Sequence, residues 1–248
     1  MVYRLLAFAA VALSLSLVVS SLLHAQQAEE LPEPPPIERV NGDDDDADGD
    51  AGNEAEDEEE PQRAELGKTV PDFTLQDQHE EEHTLSDYKG KVIVLEWVNW
   101  RCPYVVFHFR LRTQLNLIEK FADMDADTEV VWIGVNSSRW STPEHNREGA
   151  ESWEGVEFPT LCDADGTVGR MFNARTTPHM FVICEDFKLR YDGAFDSDSN
   201  PRRDSHEGVT NYVEKAVTAL LQGEEVETPQ TDPYGCRVQY ARDGRRGR

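Results

Sequence analysis

The sequence is poor in cysteine and in positive charge. It has four cysteines in 248 residues, too few for a domain built on a framework of disulfides. Lysine and arginine together number 24 against 49 aspartates and glutamates, which gives a formal net charge of −25. So acidic a chain repels phosphate groups over most of its surface, which argues against nucleic acid as a partner. The few thiols therefore favour individual cysteine chemistry over a cross-linked scaffold.

The first 25 residues contain a single charge, Arg4, followed by an apolar run from Leu5 to Leu23. This order is typical of a secretory signal peptide. The run is also nearly as long as the ~20 residues that span a bilayer, so an uncleaved membrane anchor stays open. Both interpretations predict an extracytoplasmic protein, periplasmic or secreted, with residues 5–23 as the candidate tether.

Residues 26–66 form an acidic segment rich in proline, aspartate and glutamate. Seventeen acidic residues stand there against two arginines, with almost no large apolar side chain. Such a segment cannot bury enough surface to offset the entropy of ordering, so we predict a disordered, extended linker. Asp44, Asp46 and Asp48 match the first acidic positions of a calcium-binding EF-hand loop. Ala55, however, replaces the glutamate needed at the twelfth position of that loop. Diffuse cation binding is therefore favoured over a calcium site.

A folded domain is predicted over residues 67–223, with residues 224–248 as a C-terminal tail. A mostly apolar run at 92–98 predicts a central strand, and one continuous helix is predicted from Pro103 through Ile118. Further patterns predict strands at 129–135, 158–161, 180–184 and 189–195, a helical turn at 168–172 and a last helix over 209–221. This order predicts an α/β fold with a mixed central sheet flanked by helices.

Cys102 stands where the predicted central strand ends and a helix begins, with Pro103 as the first helical residue. Unpaired amides and the positive end of the helix dipole favour an anion there and lower the pKa of a thiol. We therefore expect a thiolate at Cys102 that solvent can reach. The alternative is a small apolar residue that fills a gap in the core.

Three motifs resemble the peroxiredoxin-like branch of the redoxin proteins, also called the alkyl hydroperoxide reductase and thiol-specific antioxidant family. They are EWVNWRCPYV at 96–105, TTPHMF at 176–181 and PYGC at 233–236. The resemblance covers about residues 67–240 and implies a thioredoxin-like fold with antioxidant oxidoreductase activity. It also implies that Cys102 is the active-site cysteine and that Thr177-Pro178 forms a cis-proline loop facing it.

Two departures from the family pattern narrow this chemistry. Val105 stands where a two-cysteine thioredoxin motif has its second cysteine, so no local CxxC disulfide can form. Leu95 and Asn99 replace the proline and threonine of a full peroxiredoxin centre. Asn99 either donates a hydrogen bond in the threonine's place or caps the end of the strand. An oxidised Cys102 must then be resolved by a partner protein, a small thiol or a distant cysteine.

Cys236 is the internal candidate for that resolving thiol. It lies in a glycine-containing turn on a tail that can fold back, so we expect it to pair reversibly with Cys102 or at least to lie close to it. The alternative is a purely structural cysteine. Cys162 and Cys184 are interpreted as packing residues, with a stress-induced disulfide between them left open.

Two histidines and three aromatic residues lie within or close to these motifs in the sequence. His179 follows the proline loop and either approaches the thiol or is turned away by strand alternation. His108 lies six positions beyond Cys102 and so falls on another face of the helix, where it packs or meets solvent. Trp97, Trp100 and Tyr104 are expected to form an apolar rim, with the core as the alternative for Trp97. The arginine-rich end at 237–248 predicts a flexible solubilising tail.

The sequence therefore predicts an exported, thiol-based oxidoreductase. Cys102 attacks a peroxide or a disulfide, and an external thiol reductant or a redox partner protein restores it. Neither a cofactor nor a bound metal is expected. The residues expected to contact substrate or partner are Asn99, Pro103, Thr177, Pro178 and His179. Two alternatives stay open: a copper-binding thioredoxin-fold protein using cysteine and histidine ligands, and a non-catalytic, tethered domain that binds partners.

Overall fold

A computed structural model describes residues 62–124 and 126–242. The predicted signal or anchor segment at 1–25, and nearly all of the predicted linker at 26–66, lie outside the described residues. Within the described part of the chain, no helix is both long enough and apolar enough to cross a membrane.

A five-stranded mixed sheet forms the centre of the domain. In the described residues the strands are β1 (Thr74–Gln76), β2 (Glu82–Thr84), β3 (Val92–Trp97), β4 (Val130–Asn136), β5 (Thr160–Cys162), β6 (Thr176–Thr177), β7 (Met180–Ile183), β8 (Leu189–Gly193) and β9 (Cys236–Arg237). The central sheet has the order β5-β4-β3-β7-β8, in which β3, β4 and β5 run parallel and β7 and β8 are antiparallel additions. Every residue of β3 is buried, which explains its almost unbroken apolar run.

Helices cover the sheet and divide the interior into two cores. The helices seen in the described residues are α1 (Pro103–Arg110), α2 (Thr113–Ala122), α3 (Pro143–Glu151), α4 (Thr167–Met171) and α5 (Tyr212–Leu221). Side chains of β3 alternate between the cores: Val92 and Val94 pack with residues of α1, α2 and α5, whereas Ile93 and Leu95 pack with residues of α4. The predicted α/β fold, with helices flanking a mixed sheet, is confirmed.

The single helix predicted from Pro103 through Ile118 is wrong, because two helices occupy this range. Arg112 adopts a left-handed φ of 54°, and its amide bonds to Phe109 O at 2.9 Å in a tight turn between α1 and α2. The apolar spacing continues across this turn, so periodicity alone does not reveal the break. A left-handed residue that is not glycine gives no signal in the sequence.

The folded part of the chain extends slightly beyond both predicted ends. The amide of Ala64 bonds to Met171 O at 3.0 Å, and Leu66 bridges to Leu189, so the chain is held to the domain before residue 67. At the other end the flexible tail predicted from residue 237 is wrong as far as residue 241. There β9 pairs with β6, and the Tyr240 hydroxyl donates to Ala174 O at 2.7 Å.

Candidate active site

Cys102 is the N-cap residue of α1 and lies five residues beyond the end of β3. The turn is shaped by Asn99, whose side-chain oxygen accepts from the Arg101 amide at 3.0 Å and whose carbonyl accepts from the Cys102 amide at 2.8 Å. Pro103 occupies the first position of the helix, where its missing N–H costs no bond. The Asn99 side-chain oxygen therefore caps the strand end, which is one of its two predicted roles.

The Cys102 sulfur is buried, with 1% of the residue exposed. Its Sγ lies 2.9 Å from Thr177 O, and because a carbonyl only accepts hydrogen bonds, the sulfur donates its proton. The expectation of a Cys102 that solvent can reach is therefore wrong for this conformation. The Thr177-Pro178 peptide bond is cis, and because the Thr177 carbonyl contacts the Cys102 sulfur, the proline loop faces the thiol as the resemblance implies.

The C-terminal segment covers this thiol. Cys236 pairs with Thr177 across the β6–β9 ladder and packs in the same apolar cluster as Cys102, whose sulfur contacts the Thr177 carbonyl. Burial, followed by the neighbouring Cys102 thiol, raises the pKa of Cys236 well above its usual range. All four cysteines are free thiols in this conformation. The structure thus brings together the two cysteines that stand 134 positions apart in the sequence.

Tyr234 holds the covering segment against the body of the domain. Its hydroxyl donates to Asp196 Oδ1 at 2.7 Å and lies 3.0 Å from His108 Nε2. Burial, with a smaller contribution from Arg203, lowers the pKa of His108 to about 3, so the ring is neutral. Since the Tyr234 proton points to Asp196, His108 Nε2–H donates to the Tyr234 oxygen, and Nδ1 accepts from Thr113 at 3.2 Å. His108 is therefore a packed residue that binds the tail.

His179 is turned away from the thiol by its hydrogen bonds. Its Nε2 lies 2.7 Å from Asp192 Oδ1, and its Nδ1 accepts from the Arg175 amide at 3.2 Å. Both ring nitrogens are thereby engaged at a side chain that is almost fully buried. The cysteine–histidine ligand pair on which the copper alternative depends is not assembled from Cys102 and His179.

The prediction that Trp100 belongs to an apolar rim around Cys102 is wrong, and of the three aromatic residues only Tyr104 is partly exposed. Trp97 is fully buried in the core, and Trp100 is buried with its ring stacked on Phe109 at 5.3 Å between centroids. Tyr104 is half-buried, and its ring centroid lies 5.9 Å from that of Tyr234. A tryptophan beside a reactive cysteine looks like a rim residue in the sequence, but here the turn directs it inward.

The structure separates Cys162 from Cys184. Cys162 ends β5 and Cys184 follows β7, and the strands β4 and β3 lie between them in the sheet. Two intervening strands put them roughly 14 Å apart at about 4.8 Å per strand, and antiparallel directions place them at opposite ends. A disulfide needs Cα atoms within about 7 Å, so the stress-induced disulfide left open by the sequence is excluded.

Glu96 is a buried acid that the sequence patterns did not single out. It lies in β3 with no exposed surface, and it accepts hydrogen bonds from Gln114 Nε2 at 2.9 Å and Trp132 Nε1 at 3.0 Å. Burial raises the pKa of Glu96 to about 7, although the two hydrogen bonds act in the opposite direction. The sequence signal that could have indicated this buried acid is a single charged residue within an otherwise apolar strand.

The sheet order, the helices on both faces and a cis-proline loop facing a cysteine at a helix N-terminus define a thioredoxin-like fold. A protein-family model described as Redoxin matches residues 65–209. The chain belongs to the redoxin family, and this membership makes it a thiol-based redox protein.

Similar proteins agree with this class. The thiol-disulfide oxidoreductase ResA of Geobacillus kaustophilus is 30% identical over 126 residues, which span 50% of this chain and 67% of the relative. The crystal structure of a hypothetical protein from Sinorhizobium meliloti has a TM-score of 0.61 at 26% identity, covering 71% of this chain and 95% of its own. An uncharacterized conserved protein from Geobacillus kaustophilus has a TM-score of 0.60 at 25% identity, covering 73% and 94%.

Proposed function

We propose that the protein is a thiol–disulfide oxidoreductase in which Cys102 and Cys236 form the redox pair. The observation that carries this proposal is that both cysteines meet at Thr177: the Cys102 sulfur contacts its carbonyl oxygen, and Cys236 pairs with it in the β6–β9 ladder. The similarity to ResA, which is named a thiol-disulfide oxidoreductase, supports the same chemistry. The second cysteine, which a CxxC motif would supply locally, is supplied here by the tail.

The reaction proceeds by two exchanges. The Cys102 thiolate attacks one sulfur of a substrate disulfide, forming a mixed disulfide and releasing the other substrate sulfur as a thiolate. The Cys236 thiolate then attacks the Cys102 sulfur, forming the Cys102–Cys236 disulfide and releasing the second substrate thiol. The substrate gains two electrons and the protein loses two, which an external dithiol reductant or redox partner returns. The N-terminus of α1 favours Cys102 as the first nucleophile.

A disulfide suits this site better than a peroxide. No threonine hydroxyl stands at the position of Asn99, whose side-chain oxygen accepts from the Arg101 amide. The backbone of Thr177 provides a strand edge that aligns an extended polypeptide beside Cys102. Peroxide consumption, the antioxidant activity implied by the resemblance, is therefore the second candidate.

The test compares disulfide reduction with peroxide consumption by stopped flow in four full-length proteins: wild type, Cys102→Ser, Cys236→Ser and Cys184→Ser. Cys102→Ser should abolish reaction with both reagents. Cys236→Ser should release one thiol equivalent and then stop at the mixed disulfide, whereas Cys184→Ser should match wild type. Equal rates in all four proteins would rule out the enzyme, and selective reaction with peroxide would favour the second candidate.

We also propose that the domain works outside the cytoplasm. The proposal is supported by the apolar run at 5–23 with its single preceding charge. A fusion of residues 1–66 to a reporter that is active only after export should be active, and the same fusion lacking residues 5–23 should be inactive. An inactive fusion of residues 1–66, or equal activity with and without residues 5–23, would contradict this location.

A further inference from the structure

The C-terminal segment crosses the active-site end of the domain and contacts it along its length. We refer to residues 229–241 as the cap segment. Its first contact is the bond from the Asp192 amide to Pro229 O at 3.1 Å, and its last residues bond to Arg139 and Ala174. Between these ends lie Tyr234 and Cys236, the residues that contact the active site. The Redoxin match ends at residue 209, so the cap segment lies outside the matched range.

The cap segment occupies the strand edge beside Cys102. Thr176 and Thr177 pair with Arg237 and Cys236 in an antiparallel ladder, which satisfies backbone groups that an extended partner chain would otherwise use. Cys102 is 1% exposed beneath this ladder. A sulfur atom on another molecule cannot make in-line contact with Cys102 while the ladder is in place.

We propose that the cap segment sits in the docking site of the protein's disulfide partners, and that this site takes an extended polypeptide carrying cysteine directly after glycine. The inference rests on the proposed function and adds the class of partner. Cap and partner compete for the Thr176–Thr177 edge, and Cys102 becomes available to the partner only as the cap leaves. Once uncapped, the Cys102 sulfur faces water at the N-terminus of α1.

The glycine requirement follows from the position of Gly235. Its φ is +132°, a conformation that residues with a side chain rarely adopt. A Cβ atom there would lie 2.1 Å from Thr177 O and 2.7 Å from Thr177 C. Both are backbone atoms of the docking edge itself, so they cannot rotate away as a flexible side chain would. A partner that follows the same path to Cys102 therefore meets the same restriction.

Tyr234 determines how firmly the cap holds this site. Its hydroxyl bonds to Asp196 and His108, both on the body of the domain. Asp196 is itself buried and paired with Arg203, so the acceptor is fixed in position. Tyr234→Phe removes both bonds and retains the ring, and at about 1 kcal/mol net per hydrogen bond the cap should open roughly 30-fold more often.

The experiment uses the full-length Cys236→Ser protein and two synthetic peptides. One peptide has the sequence of residues 232–238, Asp-Pro-Tyr-Gly-Cys-Arg-Val, and the other carries Gly235→Ala. In each the cysteine is held as a mixed disulfide with thionitrobenzoate. The Cys102 thiolate attacks the peptide sulfur, a new S–S bond forms, and thionitrobenzoate leaves with the electron pair of the broken bond. Its absorbance gives the rate, and the double variant Cys102→Ser/Cys236→Ser gives the background.

The glycine peptide should react at least tenfold faster than the alanine peptide. Adding Tyr234→Phe to the Cys236→Ser protein should speed the reaction of both peptides roughly 30-fold. The matched control is Tyr88→Phe, which removes a tyrosine hydroxyl bonded to His83 at 2.6 Å, away from the cap segment, and should leave both rates unchanged. Equal rates for the two peptides, or no effect of Tyr234→Phe, would overturn the inference.

A small symmetric disulfide, dithiobis(nitrobenzoate), separates this inference from the proposed function. If Cys102 reacts with it while the two peptides react equally, thiol–disulfide chemistry stands and the docking inference fails. If Cys102 reacts with neither the reagent nor the peptides above background, the proposed function fails and the inference fails with it.

Discussion

At the scale of single residues, Glu96 shows how burial changes the behaviour of an ionisable group. The side chain is enclosed in the central strand, and two neutral donors, Gln114 and Trp132, hold its oxygens. Burial raises the pKa of Glu96 from 4.5 to about 7. The folded protein therefore retains a proton that the unfolded chain loses at lower pH, so its stability must depend on pH across that interval.

Stability should fall as the pH rises from about 4.5 to 7 and level off above this range. In that window the folded state binds more protons than the unfolded state, so raising the pH favours unfolding by about 3 kcal/mol at most. Glu96→Gln cannot ionise and should lack this part of the slope. Urea unfolding of both proteins from pH 5 to pH 8 measures the difference, and parallel pH profiles would contradict it.

The second prediction at this scale concerns Gly235 and the access of reagents to the Cys102 sulfur. Gly235→Ala should push the cap segment off the Thr177 edge, because the new Cβ would overlap backbone atoms. Cys102 in the reduced protein should then be alkylated at least tenfold faster, as followed by mass mapping. Gly208→Ala is the matched control, since Gly208 also has a positive φ but no atom within 4 Å of an added Cβ. Equal alkylation of the two variants would show that the cap does not protect the thiol.

At the scale of elements, a buried carboxylate fixes the start of α4. Asp163 accepts from the Val168 amide at 3.1 Å, the Gly169 amide at 2.8 Å and the Ser137 hydroxyl at 2.5 Å. Ser137 in turn accepts from Trp97 Nε1 at 2.9 Å. One side chain thus connects the helix to β3 and to the loop after β4.

Asp163→Ala should lower the free energy of unfolding by about 2–3 kcal/mol, because buried donors lose their acceptor. Asp165→Ala is the control: Asp165 accepts one amide, Thr167 N at 2.8 Å, at an exposed position, so its loss should cost about 1 kcal/mol or less. Chemical denaturation of both variants gives the comparison. Equal losses would mean that Asp163 contributes no more than an ordinary surface cap.

The sequence predicted those elements whose pattern is local. The apolar run of β3 and the proline at the start of α1 place Cys102 at a strand–helix junction, and this placement is seen in the structure. The short strands β1, β2 and β6 lack enough residues for a periodic signal. The docking of the tail depends on the bond between Tyr234 and Asp196, which lie far apart in sequence, and so the burial of Cys102 was not predictable.

At the scale of the whole molecule, oxidation should link the start of α1 to the C-terminal segment of the folded domain. A Cys102–Cys236 disulfide closes most of the domain into one loop and removes conformations from the unfolded chain. For a loop of this length the stabilisation is about 5 kcal/mol in the chain-entropy account. The oxidised protein should therefore unfold at higher urea than the reduced protein, whereas Cys236→Ser should show no such difference between oxidising and reducing buffer.

A coincident urea midpoint for oxidised and reduced wild type would contradict this pairing. Mass mapping identifies the alternative, since both peptides would then be found with free thiols. Cys184→Ser serves as the control and should keep the shift, because Cys184 Sγ accepts from Arg190 Nε at 3.4 Å and takes no part in the exchange.

The tail's position over Cys102 also governs how the protein can be prepared for study. A purification tag fused after Arg248, or trimming by a host protease beyond Thr231, alters the polypeptide that shields the reactive sulfur. In such a sample Cys102 would be oxidised during storage and would react with disulfides of any sequence, although the rest of the domain stayed folded. A purification tag at the N-terminus leaves the cap segment unchanged. A mass spectrum of the intact protein before each measurement shows whether the segment is still complete.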